Sequence, residues 1–80
     1  MAKMRAKMKV SEVIIREGHE ELKMVPVCKT GSYPEDGADE DNTYAKWTPS
    51  GELKLGITNP ALHGQFKPGQ KFYVDFTDAE

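Results

Sequence analysis

Eighty residues make one small domain, of a size that buries only about 60% of its unfolded surface; with 38% hydrophobic and 30% charged residues, its core leaves no room for a deep substrate cavity. A formal net charge of −2 gives the domain as a whole no electrostatic claim on nucleic acid, and the single cysteine, Cys28, excludes an internal disulfide and points to a reducing compartment. No stretch approaches the roughly 20 apolar residues of a membrane span, and the basic start lacks the apolar segment that a secretory signal needs.

Alternation with a period of two dominates the chain, the mark of strands with one wet face. Met4, Ala6, Met8 and Val10 share one side of a first strand, with Arg5, Lys7 and Lys9 on the other. The phase then slips to Val13 and Ile15, which predicts a β-bulge near Ser11 and Glu12. The opening run of Met, Ala and Lys, from Met1 to Met8, also suits an amphipathic helix, but its strict alternation favours a strand. Glu17, Gly18, His19 and Glu20 form a polar turn into a second strand carrying Leu22, Met24, Val25 and Val27; Pro26 lacks a ladder donor and places that strand at an edge there. A long loop over 29–42 follows, rich in Gly, Pro, Asp and Glu.

Residues 43–48 are β-favouring and predict a third strand, followed by a Pro49-Ser50-Gly51 turn. The fourth strand points Leu53, Leu55 and Ile57 inward. Asn59-Pro60-Ala61-Leu62 reads as a capped single helical turn, ended by Gly64. After a tight turn at Lys67-Pro68-Gly69-Gln70, the last strand alternates Phe72, Val74 and Phe76 against Tyr73, Asp75 and Thr77. Together these predict an all-β domain over 1–80: a five-stranded barrel, SH3-like or OB-like, with one short helical turn before the last strand. Leu55, Phe72 and Phe76 are expected to hold it closed, with Phe76→Ala costing about 3–5 kcal/mol.

No catalytic residue, metal ligand or cofactor site emerges from this sequence. His19 and His63 lack a second ligand at metal spacing, Cys28 lacks the surroundings of a nucleophile, and the glycines are scattered among turns. Asp36, Asp39, Asp41 and Asn42 crowd oxygen ligands together but lack the order of a calcium loop, and a solvated acidic loop is the plainer reading.

Binding candidates remain. Five acids (Glu35, Asp36, Asp39, Glu40 and Asp41) lie within seven residues of one loop, and Arg5, Lys7 and Lys9 line the outer face of the first strand. Tyr73 points away from the core by parity. Tyr44 and Trp47 have opposite parity, so at least one is expected outside; the alternative is that Trp47 plugs the core with Phe66. Outward aromatics anchor protein partners or stack bases, and the acids weigh against nucleic acid.

The segments Met4-Arg5-Ala6-Lys7-Met8-Lys9-Val10, Asp41-Asn42-Thr43-Tyr44-Ala45-Lys46-Trp47-Thr48-Pro49-Ser50, Asn59-Pro60-Ala61-Leu62 and 68–77 resemble small proteins encoded by tailed bacteriophages, a group with no described activity. The resemblance covers a little under half the chain and supplies no site residues. It implies a viral origin, a place in the bacterial host cytoplasm or the virion, and one of two roles. The first is a minor virion-associated protein, capsid-decorating or accessory, with self-assembly open to it. The second is a small effector that binds and inhibits a host protein. A single-stranded nucleic-acid binder of OB type is the third reading, and each of the three is non-enzymatic.

Overall fold

The computed structural model describes residues 3–80; Met1 and Ala2, where the helical alternative begins, lie outside the described residues. From Met4 onward that segment is strand. Four strands form one antiparallel sheet: β1 (Met4–Arg16), β2 (His19–Pro26), β3 (Leu53–Ile57) and β4 (Lys71–Phe76), in the order β3-β2-β1-β4. A single 3₁₀ turn at Pro60–Leu62 precedes β4, capped by the Asn59 side chain, whose Oδ1 accepts from the Ala61 N–H at 3.1 Å. The domain is therefore all-β as the alternation implies, but it is an open, curled half-barrel of four strands and not a closed barrel of five.

The missing strand is that expected over 43–48. Thr43 does pair with β1, its N–H donating to the Arg5 carbonyl at 2.9 Å while its hydroxyl accepts from the Arg5 N–H at 2.8 Å. There the extension stops. The Ala45 N–H turns back to the Asn42 carbonyl, and Trp47 adopts φ 58°. β-propensity measures the fit to a sheet surface more than a backbone preference, and the side of β1 away from β4 takes only Thr43 at Arg5 and the Asn42 side chain at Lys7 before the chain turns away.

β1 is the spine. Its C-terminal part pairs with β2, from Met8 opposite Pro26 to Arg16 opposite His19, and its N-terminal part pairs with β4, from Met4 opposite Phe76 to Lys9 opposite Lys71. The register slips between Val10 and Glu12, so Ser11 is the extra residue of a bulge, and its hydroxyl reaches the Lys23 carbonyl at 3.2 Å. Because the bulge resets the phase, Val13 and Ile15 rejoin the face of Ala6, Met8 and Val10. β3 pairs with β2 only from Glu20 to Met24, so Pro26 lies where β2 has lost that neighbour and its missing donor leaves no rung broken.

The register sorts the sheet into two faces. On one stand Met4, Ala6, Met8, Val10, Val13 and Ile15 of β1, with Leu22 and Met24 of β2, Leu53, Leu55 and Ile57 of β3, and Phe72, Val74 and Phe76 of β4. The core lies at the middle of this face: Ala6, Met8, Val10, Leu22, Met24 and Ile57 are buried, with Tyr44 and Phe66 brought over them by the two long connections. Arg5, Lys7, Lys9, Glu21, Lys23, Lys54, Tyr73 and Asp75 belong to the other face.

Candidate functional site

The polar face gathers several of the expected binding residues into one chain of contacts. Arg5 lies opposite Asp75 in the β1–β4 register and holds it with two hydrogen bonds, Nε to Oδ1 at 2.7 Å and Nη2 to Oδ2 at 3.1 Å. The guanidinium carbon also sits 4.4 Å from the centroid of the Tyr73 ring, a cation–π contact. The Tyr73 hydroxyl donates to Asp41 Oδ1 at 3.0 Å, and Lys7 Nζ lies 3.5 Å from Asp41 Oδ2. Two cations, two carboxylates and a phenol thus neutralise one another. The hydrogen bond from Arg5 is the main reason that the Asp75 carboxyl is held below its usual range, and the same bond raises Arg5 further above its own. Asp75 is the member that the sequence reading left out; the only available signal was its parity with Tyr73.

The acidic loop is built differently from a flexible, charged tether. Asp39 is buried: its Oδ1 accepts from the N–H groups of Asp41 and Asn42, and its Oδ2 accepts from Asn42 Nδ2 at 3.2 Å. Asn42 is completely buried and works as a wedge between β1 and the end of β2. Its Oδ1 accepts from the Lys7 N–H at 2.9 Å while its Nδ2 donates to the Val27 carbonyl at 2.9 Å. The amide thereby replaces a rung of the ladder with its own donor and acceptor. Asp39 is therefore a loop-organising residue and not a surface contact. Asp36 caps the Ala38 N–H at 3.1 Å, leaving Glu35 and Glu40 as the exposed acids without such a role among the described residues. The oxygens of Asp36, Asp39, Asp41 and Asn42 do not converge: each faces its own partner.

The three candidate aromatics are dispersed. Tyr44 is half-buried against the core, its hydroxyl reaching the Ser50 carbonyl at 3.3 Å, and burial raises its pKa. Trp47 does not plug the core. It is half-exposed and its indole lies against Gly37, where an added Cβ would fall 2.5 Å from the ring. Gly37 also has φ +74°, so glycine is required there on both counts. The aromatic ring pair among the described residues is Phe66 with Phe72, edge to face at 5.4 Å. Lys9 is exposed and faces Lys71 across the strand pair, like charge against like.

The apolar face holds the surprise. Ile15 is 77% exposed, Leu55 50%, Phe76 48% and Phe72 37%. Parity places the last three on the core side as expected, but they do not close a barrel: β3 and β4 are the two edges of the sheet, and only loops cover its middle. The one charged residue of this face, Glu20, is buried; its Oε1 accepts from the Gly64 N–H at 3.2 Å and its Oε2 has no partner.

Cys28 is exposed, the His63 Nε2 lies 2.8 Å from the Ile57 carbonyl, and the His19 ring lies against Gly56. Among the described residues no three His, Cys, Asp or Glu side chains gather to hold a metal ion, and no helix is long and apolar enough to cross a membrane.

No protein-family model matches this chain. Comparison with curated proteins and with solved structures yields no match either. Its chemistry must therefore be read from its own residues.

Proposed function

We propose that this chain is a non-enzymatic protein-binding module that docks through the apolar face of its sheet. The observation that carries the reading is the exposure of Ile15, Leu55, Phe72 and Phe76 on the face that also holds the core. Several large apolar side chains standing on one face of a small domain mark a contact surface. Charge contributes less to this surface than the sequence implies, because Arg5, Lys7, Tyr73 and Asp41 satisfy one another.

Of the roles that the phage resemblance implies, the virion-associated one fits better. An assembly part uses extended contacts, and the chain is a thin body of 48 × 33 × 16 Å. An inhibitor that imitates a phosphate path needs freely presented acids, and the loop spends Asp39 and Asp41 internally. Base stacking is disfavoured in turn, since Tyr73 lies beneath Arg5 and Tyr44 packs on the core. On this reading the protein is made in the cytoplasm of a bacterial host and passes into the particle.

Site-specific photo-crosslinking in the cells that make the protein tests the reading. A photoreactive residue at position 55 or 76 is expected to give covalent adducts with protein, whereas one at exposed Lys54, on the opposite face, gives none. A chain that yields no adduct from either apolar position would refute it.

A further inference from the structure

We infer that the partner on the apolar face is a second copy of this chain, two curled sheets closing on one another about a two-fold axis. This rests on the protein-binding reading above and names its partner. The first argument is area. A folded monomer of 9.0 kDa should expose about 4,900 Å², and this chain exposes 5836 Å². The difference, roughly 1,000 Å² summed over the whole chain, leaves room for the share of about 800 Å² that each partner contributes to a standard interface. The radius of gyration points the same way, 14.5 Å against about 12 Å for a compact chain of this length.

The second argument is architecture. A sheet with one apolar face needs a second layer against it, and stable domains supply two. Here the chain supplies one sheet, and its middle is covered only by loop side chains such as Tyr44 and Phe66. A second copy laid over those loops covers what they leave bare at the rim, Ile15, Leu55, Phe72 and Phe76.

The third argument is self-complementarity. A two-fold contact sets each patch against itself, so a charged patch repels its copy while an uncharged one does not. The exposed side chains of this face, Ile15, Leu55, Phe72 and Phe76, carry no charge, and Glu20 is turned into the fold. The acids and bases of the sheet lie on the far side. A core of six buried apolar residues is also thin for an independent domain, and a second copy is the one partner present wherever the chain folds.

Sedimentation equilibrium of the full chain, from nanomolar concentrations to about 100 µM, decides the matter. The expected result is a species of twice the 9.0 kDa chain mass. Leu55→Glu and Phe76→Glu should each weaken it by about tenfold or more, and Lys54→Glu should leave it intact. Circular dichroism checks that the variants fold. If they do not, a photoreactive residue at position 55 of the purified chain should still give a covalent product of twice the chain mass. A monomer throughout the range overturns the inference, as does a dimer that persists in both folded glutamate variants. If the purified chain is monomeric while positions 55 and 76 crosslink to a different protein in cells, the second copy is wrong and the protein-binding reading stands. If neither position crosslinks to anything, both fall.

Discussion

The two faces of this sheet invert what their residues suggest. Arg5 and Phe76 occupy adjacent rungs of the β1–β4 pair and point to opposite sides. The charged side looks like a binding surface, yet Arg5, Asp75, Tyr73, Asp41 and Lys7 are engaged with one another. The apolar side looks like core, yet Phe76, Phe72, Leu55 and Ile15 stand in solvent. Polar groups can be satisfied by neighbours on the same strand pair, whereas apolar groups need a whole layer opposite them. In so short a chain the second requirement is the harder one to meet.

The wedge that holds the polar side's loop against β1 should give the largest effect. Asn42→Ala leaves the Lys7 N–H and the Val27 carbonyl without their partner; at about 1–3 kcal/mol for each buried group, the expected loss is about 3 kcal/mol or more. Urea unfolding measures it, and a change within error would show that water replaces the wedge. Within the apolar face, Leu22 and Leu55 are cross-strand neighbours with opposite surroundings. Leu22→Ala should cost about 2–5 kcal/mol, and Leu55→Ala about 1 kcal/mol in dilute protein. Phe76→Ala likewise falls below the cost expected of a closed barrel, because half of its side chain is already exposed. Equal losses at positions 22 and 55 would mean that the face is covered within one chain.

A loop effect of intermediate size follows from Gly37. Gly37→Ala places a methyl group against the Trp47 ring at a left-handed φ, and about 1–2 kcal/mol is expected from the backbone alone. Trp47 fluorescence should shift as the indole is displaced; an unchanged spectrum and melt would contradict the packing. The smallest effect belongs to the exposed Arg5–Asp75 pair. A double-mutant cycle should return a weak coupling that falls as salt rises. Since the folded state lowers the Asp75 carboxyl below its ordinary 3.8, its contribution is present above that pH and fades as the pH drops through the lower folded value. A coupling that strengthens in acid would reverse this assignment.

Much of the fold is legible in the residues one at a time. Alternation places β1, β2, β3 and β4, the phase slip locates the bulge at Ser11, and Asn59-Pro60 announces the single helical turn. These are local features, written in side-chain period and turn chemistry. The strand expected over 43–48 fails because the chain turns back at Ala45 and Trp47 after the single pairing of Thr43 with Arg5, an outcome that local propensity does not announce. The same holds for Asp39 and Asn42: an acidic loop and a buried loop anchor share a composition, and only the distance from Asn42 to Lys7 and Val27 separates them.

By itself, then, the sequence determined the strand class, the turns, and which side chains share a face, because the pleat assigns faces with a period of two whatever the rest of the chain does. It did not determine whether those faces are covered. That depends on the number of strands in the sheet, on which connections cross it, and on how far its edges curl. The tertiary structure alone decided that Arg5, Lys7, Asp41 and Asp75 are spent on one another and that the apolar rim is left open.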